Sequence, residues 1–437
     1  MLGRTFRLFS FSLLLCTATV FARADVWDVV NLSKDEPPVV HGVQAIEKAL
    51  QSRGVNVVLL SDGGESGVPR VWVFSSSGEK LPPNVPFRNV ELPARPESYV
   101  IRVAKRRILV VGSDPVGTMY GCLDLAEQIR WNSDKPDPRH VQERTARPFL
   151  QVRAVNPFLH IQALTDTTSW YFSDDFWNSY LDLLAESRHN LLDIHAAYDL
   201  RKTNFPNIFP YFFSFKEFPD TGVPPELTRK IFAQFKRIVA LAKERGIHVA
   251  LMNYNTAVTS AGKALTGEEL IDYTRRCVRR LLTEVPDLWA FGFRIGESGQ
   301  SEDFFERAYL QVIRQVAPHV RVYTRTWGAN PERLAQVAAE FPGRFVVEPK
   351  YNGEQMGLPY QGIVEPIEPN LPPAYSYEVY PVEPQPWRIL WQVRTNGTHR
   401  IFAWGDPDFV RRTALSCRLG CGLGYTVEPL SAYYPVD

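Results

Sequence analysis

Along this chain the spacing of apolar positions switches repeatedly between alternation and a stripe every three or four residues, and from Val152 onward the switching becomes regular. Strands are predicted at Val152 to Ile161, Leu191 to Ala196, Val249 to Tyr254, Leu288 to Ile295, Arg321 to Thr326, Phe345 to Pro349, Ile389 to Arg394 and Leu423 to Val427. Between them lie amphipathic stretches with their own start and stop signals. Ser173 precedes the apolar face of Phe176, Trp177, Tyr180, Leu181 and Leu184, and Pro225 opens a helix that Gly246 closes. Thr266 with Glu269 has the spacing of a capping box, and Asn330-Pro331 and Asp406-Pro407 are cap-plus-N1 pairs. Eight strands alternating with helices give an α/β class and predict a (β/α)8 TIM-type barrel.

The block before it is shorter and does not reach barrel size. Val39 to Leu50 reads as a helix, Val55 to Leu60 and Val71 to Phe74 as strands, and Tyr99 to Val103 with Ile108 to Val111 as a hairpin turning at Lys105-Arg106. Asp114 and Pro115 then open a helix that ends near Trp131, followed by a polar, proline-bearing linker. Residues 25–145 thus form a small α/β accessory domain and residues 146–437 the barrel. Gly357 to Pro386, rich in proline and tyrosine, predicts a long loop over the barrel mouth. No helical pattern follows the eighth strand, so we expect a fragment of a longer protein.

At 437 residues with a formal net charge of +1, the chain carries no electrostatic footprint for nucleic acid or an anionic membrane. Arg4 and Arg7, the apolar run Leu8 to Phe21 and Ala22-Arg23-Ala24 read as a signal peptide over residues 1–24, which implies a periplasmic or extracellular protein. No later stretch is long enough to span a bilayer. Cys122, Cys277, Cys417 and Cys421 lack the paired spacing of a zinc site and read as buried thiols.

Chemistry in such a barrel sits at the carboxyl ends of the strands. There the sequence offers His160 and Gln162, Asp193 and His195, Asn253 and Asn255, Arg294 and Glu297, Arg325 and Trp327, then Glu348, Lys350, Asn352 and Glu354. Strand seven adds Gln392, Arg394 and Asn396, and strand eight Tyr425 and Glu428. Carboxylates, cations and aromatics together suit glycoside hydrolysis, which needs one protonated carboxyl and one carboxylate. Glu297, set among glycines after an apolar strand, is the expected general acid; Glu348, then Glu428, is the expected second carboxylate. Either of the first two could instead serve an ion pair, with Arg294 or Lys350. Trp327 and Tyr351 directly follow strands and are the expected sugar-stacking rings, while Lys350 and Arg394 could read a sugar carboxylate. His195, Asn255, Arg294, Glu354 and Tyr425 complete the expected substrate contacts. A metal-dependent hydrolase is the rival chemistry, through His160, His195 and Asp193, but strand one lacks an H-x-H pair and no metal or organic cofactor is expected. The non-catalytic alternative is a carbohydrate-binding barrel.

The segment Ser98 to Gln128, SYVIRVAKRRILVVGSDPVGTMYGCLDLAEQ, resembles the small α/β domain that precedes the barrel in β-hexosaminidases and in the xylan-directed α-glucuronidases, with Gly117, Tyr120, Gly121 and Leu125 in matching places. Hexosaminidases of this architecture carry adjacent Asp-Glu at the end of strand four, whereas here Gly296 precedes Glu297. The resemblance therefore implies a glycosidase nearer in layout to the α-glucuronidases, acting on a uronic-acid or other polysaccharide glycoside. It also implies an inverting reaction and a helical domain beyond the barrel.

Overall fold

The computed structural model describes residues 25–33, 35–62, 64, 67–132, 134–296, 298–349, 380, 384–394, 407–420 and 422–428. The expected signal segment, Glu297, Lys350, Tyr351, Glu354, Cys421 and most of the expected loop over the mouth lie outside these residues.

Strand β1 (Val26–Asn31) begins a six-stranded sheet. After it come α1 (Pro37–Gln51), β2 (Asn56–Leu60), β3 (Arg70–Ser75), β4 (Tyr99–Ala104), β5 (Arg107–Gly112), α2 (Pro115–Trp131) and β6 (Arg144–Ala146), in the sheet order β2-β1-β3-β5-β4-β6. The hairpin is β4 with β5, antiparallel. Asp114 caps α2, its Oδ1 accepting from Gly117 N at 2.7 Å and its Oδ2 from Glu97 N at 2.7 Å. The glycines of the motif have a packing cause: a Cβ on Gly117 would stand 2.4 Å from Ser98 O, and one on Gly121 2.6 Å from Val110 Cγ1. Only a bare backbone lets α2 lie this close to the hairpin.

The barrel strands are β7 (Val152–Val155), with its continuation β8 (Phe158–His160), then β9 (Leu191–Tyr198), β10 (His248–Asn253), β11 (Ala290–Phe293), β12 (Arg321–Arg325), β13 (Phe345–Glu348), β14 (Arg388–Arg394) and β15 (Gly422–Glu428). All pair in parallel, and β15 with β7, β7 with β9 and β9 with β10 close the ring into an eight-strand barrel. The first strand breaks at Asn156-Pro157, where proline has no N–H to donate. The connecting helices are α3 (Asp174–Glu186), α4 (Pro225–Glu244), α5 (Gly267–Glu284), α6 (Glu302–Phe305, a π-helical turn Glu306–Leu310, then Gln311–Val316), α7 (Pro331–Ala339) and α8 (Pro407–Ser416).

Ser173 caps α3 through Phe176 N at 3.2 Å, and Asn330 caps α7 through Glu332 N at 2.9 Å. Thr266 sits at the N-cap of α5 without a side-chain bond, and Glu269 lies 3.7 Å from Lys263 instead, so the expected capping box is not closed. Tyr120 and Glu97 tie the small sheet to the amino ends of the barrel strands. Arg153 Nη2 lies 2.5 Å from Glu97 Oε2, and Asn190 Nδ2 donates to Glu97 Oε1 at 2.9 Å, with Arg153 5.9 Å from the Tyr120 ring centroid. The carboxyl ends, at the opposite mouth, are left for the site. Cys122, Cys277 and Cys417 are buried free thiols, their pKa values raised by burial. Among the described residues no helix is long and apolar enough to cross a membrane.

Candidate active site

Alternation along a strand decides what enters the barrel, because residues two apart share a face. On β9 that face carries Leu191, Asp193 and His195; on β12, Tyr323 and Arg325; on β15, Thr426 and Glu428. Asp193 is gripped at mid-height: Tyr323 OH donates to its Oδ1 at 2.9 Å and Thr426 Oγ1 to its Oδ2 at 2.8 Å. Tyr323 reaches across because β11 has glycine beneath it; a Cβ on Gly292 would stand 2.5 Å from Tyr323 Cδ1.

One layer higher the side chains form a continuous polar network. His195 Nδ1 is 2.5 Å from Tyr254 OH, and Arg325 Nη1 donates to the same hydroxyl at 2.6 Å. The other arm of Arg325 donates to Gln392 Oε1, and Gln392 Nε2 donates to Glu428 Oε2 at 2.5 Å. His195 Nε2 lies 3.4 Å from Asp193 Oδ2 and 3.5 Å from Glu348 Oε2. The guanidinium of Arg294 lies 4.7 Å from the Tyr254 ring centroid and 5.4 Å from that of Phe205. Asp193, His195, Glu348 and Glu428 are fully buried.

Burial opposes charge on His195, but Tyr254, Asp193 and Glu348 around it prevail and hold its pKa well above the ordinary value. For Asp193 burial is likewise outweighed, by the charge and hydrogen bond of His195 and by the Thr426 and Tyr323 hydroxyls, and the carboxyl is held low. Glu348 is raised: burial and the charge of Asp193 exceed what His195 and Arg325 return. Asp193, His195 and Glu348 are also the group among the described residues able to share a metal ion, with ligand atoms within 4.8 Å of one another.

Of the residues expected at the mouth, His195, Arg294, Glu348 and Glu428 are brought together around Tyr254 and Arg325. Trp327 packs on Gly296, the residue before Glu297: a Cβ on Gly296 would meet Trp327 O at 2.3 Å and Trp327 Cδ1 at 2.6 Å. Asn255 is turned into its own loop, its Oδ1 accepting from Thr256 N at 2.7 Å and Ala257 N at 3.0 Å. Tyr425 is a correction. It has the opposite parity to Thr426 and Glu428, pairs in register with Arg153 and lies 6.2 Å from the His189 ring, on the outer face and away from the mouth. Arg394 pairs in register with Glu428 at the end of β14. His160 does not join Asp193 and His195; its ring lies 6.3 Å from Trp170 and 6.0 Å from Tyr198. Asn253 points outward, donating to Asn207 Oδ1 at 3.0 Å and Tyr309 OH at 3.1 Å.

Tyr323 and Thr426 are not legible in the sequence as site residues, and Tyr254, Arg325 and Gln392 have no role that their own segments assign. The signal that finds them is parity counted back from each strand end. The Gly296 contact gives a prediction of its own: Gly296→Ala must push the β11 and β12 loops apart, and overpacking of this kind costs about 1 to 3 kcal/mol. An unfolding midpoint within error of the parent would show that the loops yield freely.

No family model matches the chain, and no curated protein matches it. Among solved structures it is similar to a GH138 enzyme targeting pectin rhamnogalacturonan II, with a TM-score of 0.71 at 17% identity over 94% of this chain and 47% of that one. It is also similar to BtGH115A, a GH115 4-O-methyl-α-glucuronidase with specificity for decorated arabinogalactans, with a TM-score of 0.59 at 11% identity over 94% and 55%. For CpGH84B the TM-score is 0.54 at 14% identity over 93% and 64%. The chain spans about half the length of the first two structures. At these identities the likeness establishes the fold, a TIM-type barrel preceded by a small α/β domain.

Proposed function

We propose that the protein is an exported glycoside hydrolase that cleaves a polysaccharide or oligosaccharide glycoside by two-carboxyl acid/base catalysis. The observation that carries this reading is the buried network at the barrel mouth, where carboxyl groups from β13 and β15 meet the cations of β12 and of the loop after β11. Oxocarbenium-like transition states need such fixed charges in a water-poor site. Glu297, which follows β11 in the sequence, is the proposed general acid. For the second role Glu428 is the better supported carboxylate. Gln392 donates to it at 2.5 Å, and Arg325 polarises that amide from behind. Glu348, the first choice from sequence, faces His195 Nε2 at 3.5 Å, and the charge of Asp193 opposes its own.

The substrate proposed is a uronosyl glycoside. Arg294 at the mouth, with Lys350 and Arg394 next in the sequence after or at the ends of β13 and β14, supplies cations for a sugar carboxylate, and the matched glycosidases include an enzyme of pectin and an α-glucuronidase. The test is release of reducing sugar from uronosyl, N-acetylhexosaminyl and neutral glycosides by the full chain. Cleavage confined to uronosyl substrates is the expected result. Binding of those sugars without cleavage of any would establish the non-catalytic alternative.

A further inference from the structure

We propose that Asp193, His195 and Glu348 form a binding site for one divalent transition-metal cation, set below the barrel mouth. The inference goes beyond the glycosidase reading and does not depend on it. Asp193 and His195 stand two apart on β9 and so share its inner face, and Glu348 ends β13 across the barrel. His195 Nε2 is 3.4 Å from Asp193 Oδ2 and 3.5 Å from Glu348 Oε2. A cation bonded to oxygen and nitrogen at about 2.0 to 2.2 Å holds neighbouring ligand atoms roughly 3 to 3.6 Å apart.

A second observation points to an occupant. His195 Nε2 and both oxygens of Glu348 are buried with no hydrogen-bond partner among the described residues. Leaving such groups unsatisfied costs about 1 to 3 kcal/mol each, more when they are charged. The remaining atoms of the cluster are held by neighbours, His195 Nδ1 by Tyr254 and Asp193 Oδ1 by Tyr323, while Asp193 Oδ2 accepts from Thr426 with one lone pair and keeps the other for the ion. Protein metal sites have this second layer of hydrogen bonds, which fixes each ligand's orientation and leaves its donor atom aimed inward. One imidazole with two carboxylates suits Zn2+ or Mn2+, whereas Ca2+ takes six to eight oxygens. The competing occupant of the same space is a proton on His195, which would join the two carboxylates as an ion pair.

The test needs no sugar. The full chain is stripped with a chelator, dialysed against Zn2+ or Mn2+, washed, and assayed for bound metal and for its melting temperature. The expected result is one ion per chain and a melting temperature raised by metal and lowered again by chelator. Glu348→Gln and His195→Asn should each bind more than about tenfold more weakly, while Asp408→Asn, on the exposed face of α8, keeps the ion. X-ray absorption of the loaded parent, which is indifferent to any folding defect in the variants, should show nitrogen and oxygen ligands including an imidazole. A folded parent that retains no ion overturns the proposal, as does an ion held equally well by both ligand variants.

Discussion

Glu297→Gln is expected to lower turnover of an unactivated glycoside by about 10²- to 10⁴-fold, the usual contribution of a positioned general acid. An amide cannot give the leaving oxygen its proton, so the loss depends on how badly that oxygen needs one. Aryl glycosides with acidic phenols depart without help and should lose far less, while natural linkages lose nearly everything. Binding, read by calorimetry or by protection against thermal unfolding, should stay near that of the parent, because the amide keeps the size and most hydrogen bonds of the acid. Glu428→Gln makes the contrast: a lost base or nucleophile should slow both kinds of substrate. Equal losses on activated and unactivated substrates in Glu297→Gln would remove Glu297 from the acid role. Parental activity on both would remove it from the mechanism.

The barrel is legible in the chain for a physical reason. Most positions of the barrel strands are buried on both faces and so read as apolar runs, and helices such as α3 and α7 announce themselves by Ser173 and Asn330, which bond to the first backbone amides. These signals are local, and local signals survive in one dimension. The break of the first strand at Pro157 is of the same local kind, yet the apolar run across it reads as one continuous strand. The site is half legible. His195, Glu348 and Glu428 stand at strand ends and converge, but the reading of Tyr425 as inward follows only from its nearness to Glu428, and one step of parity sends it to the outer face. Tyr323 and Thr426 lie a layer below the mouth, and nothing in their own segments says that both will reach Asp193, which is more than a hundred residues away from each. Long-range convergence of this kind depends on the closure of the ring. A strand pattern predicts that the ring closes without predicting which side chains meet across it.

Arg325→Met should be among the most destabilising single changes in the chain. Arg325 is 3% exposed, donates to Tyr254 at 2.6 Å and to Gln392, which in turn donates to Glu428, and its charge acts on Glu348. Methionine fills much of the volume and removes the charge, leaving Gln392 without its donor and buried anions with less compensation. Breaking a buried charge network from one side costs about 3 to 5 kcal/mol, well beyond the cost of the lost packing. Arg325→Lys separates charge from shape. An ammonium can reach Tyr254 or Gln392 but not hold both as a fork does, so an intermediate loss is expected. The double variant Arg325→Met with Glu428→Gln should recover part of the loss, since neutralising the anion removes what the cation had balanced; coupling of about 0.5 to 3 kcal/mol is the range for residues in one network. Urea unfolding of these proteins together with the parent and the single variant Glu428→Gln, five in all, measures each term. If Arg325→Met unfolds within about 0.5 kcal/mol of the parent, the size of an ordinary surface change, the network is not what holds the mouth of the barrel, and Glu428 is not positioned through it.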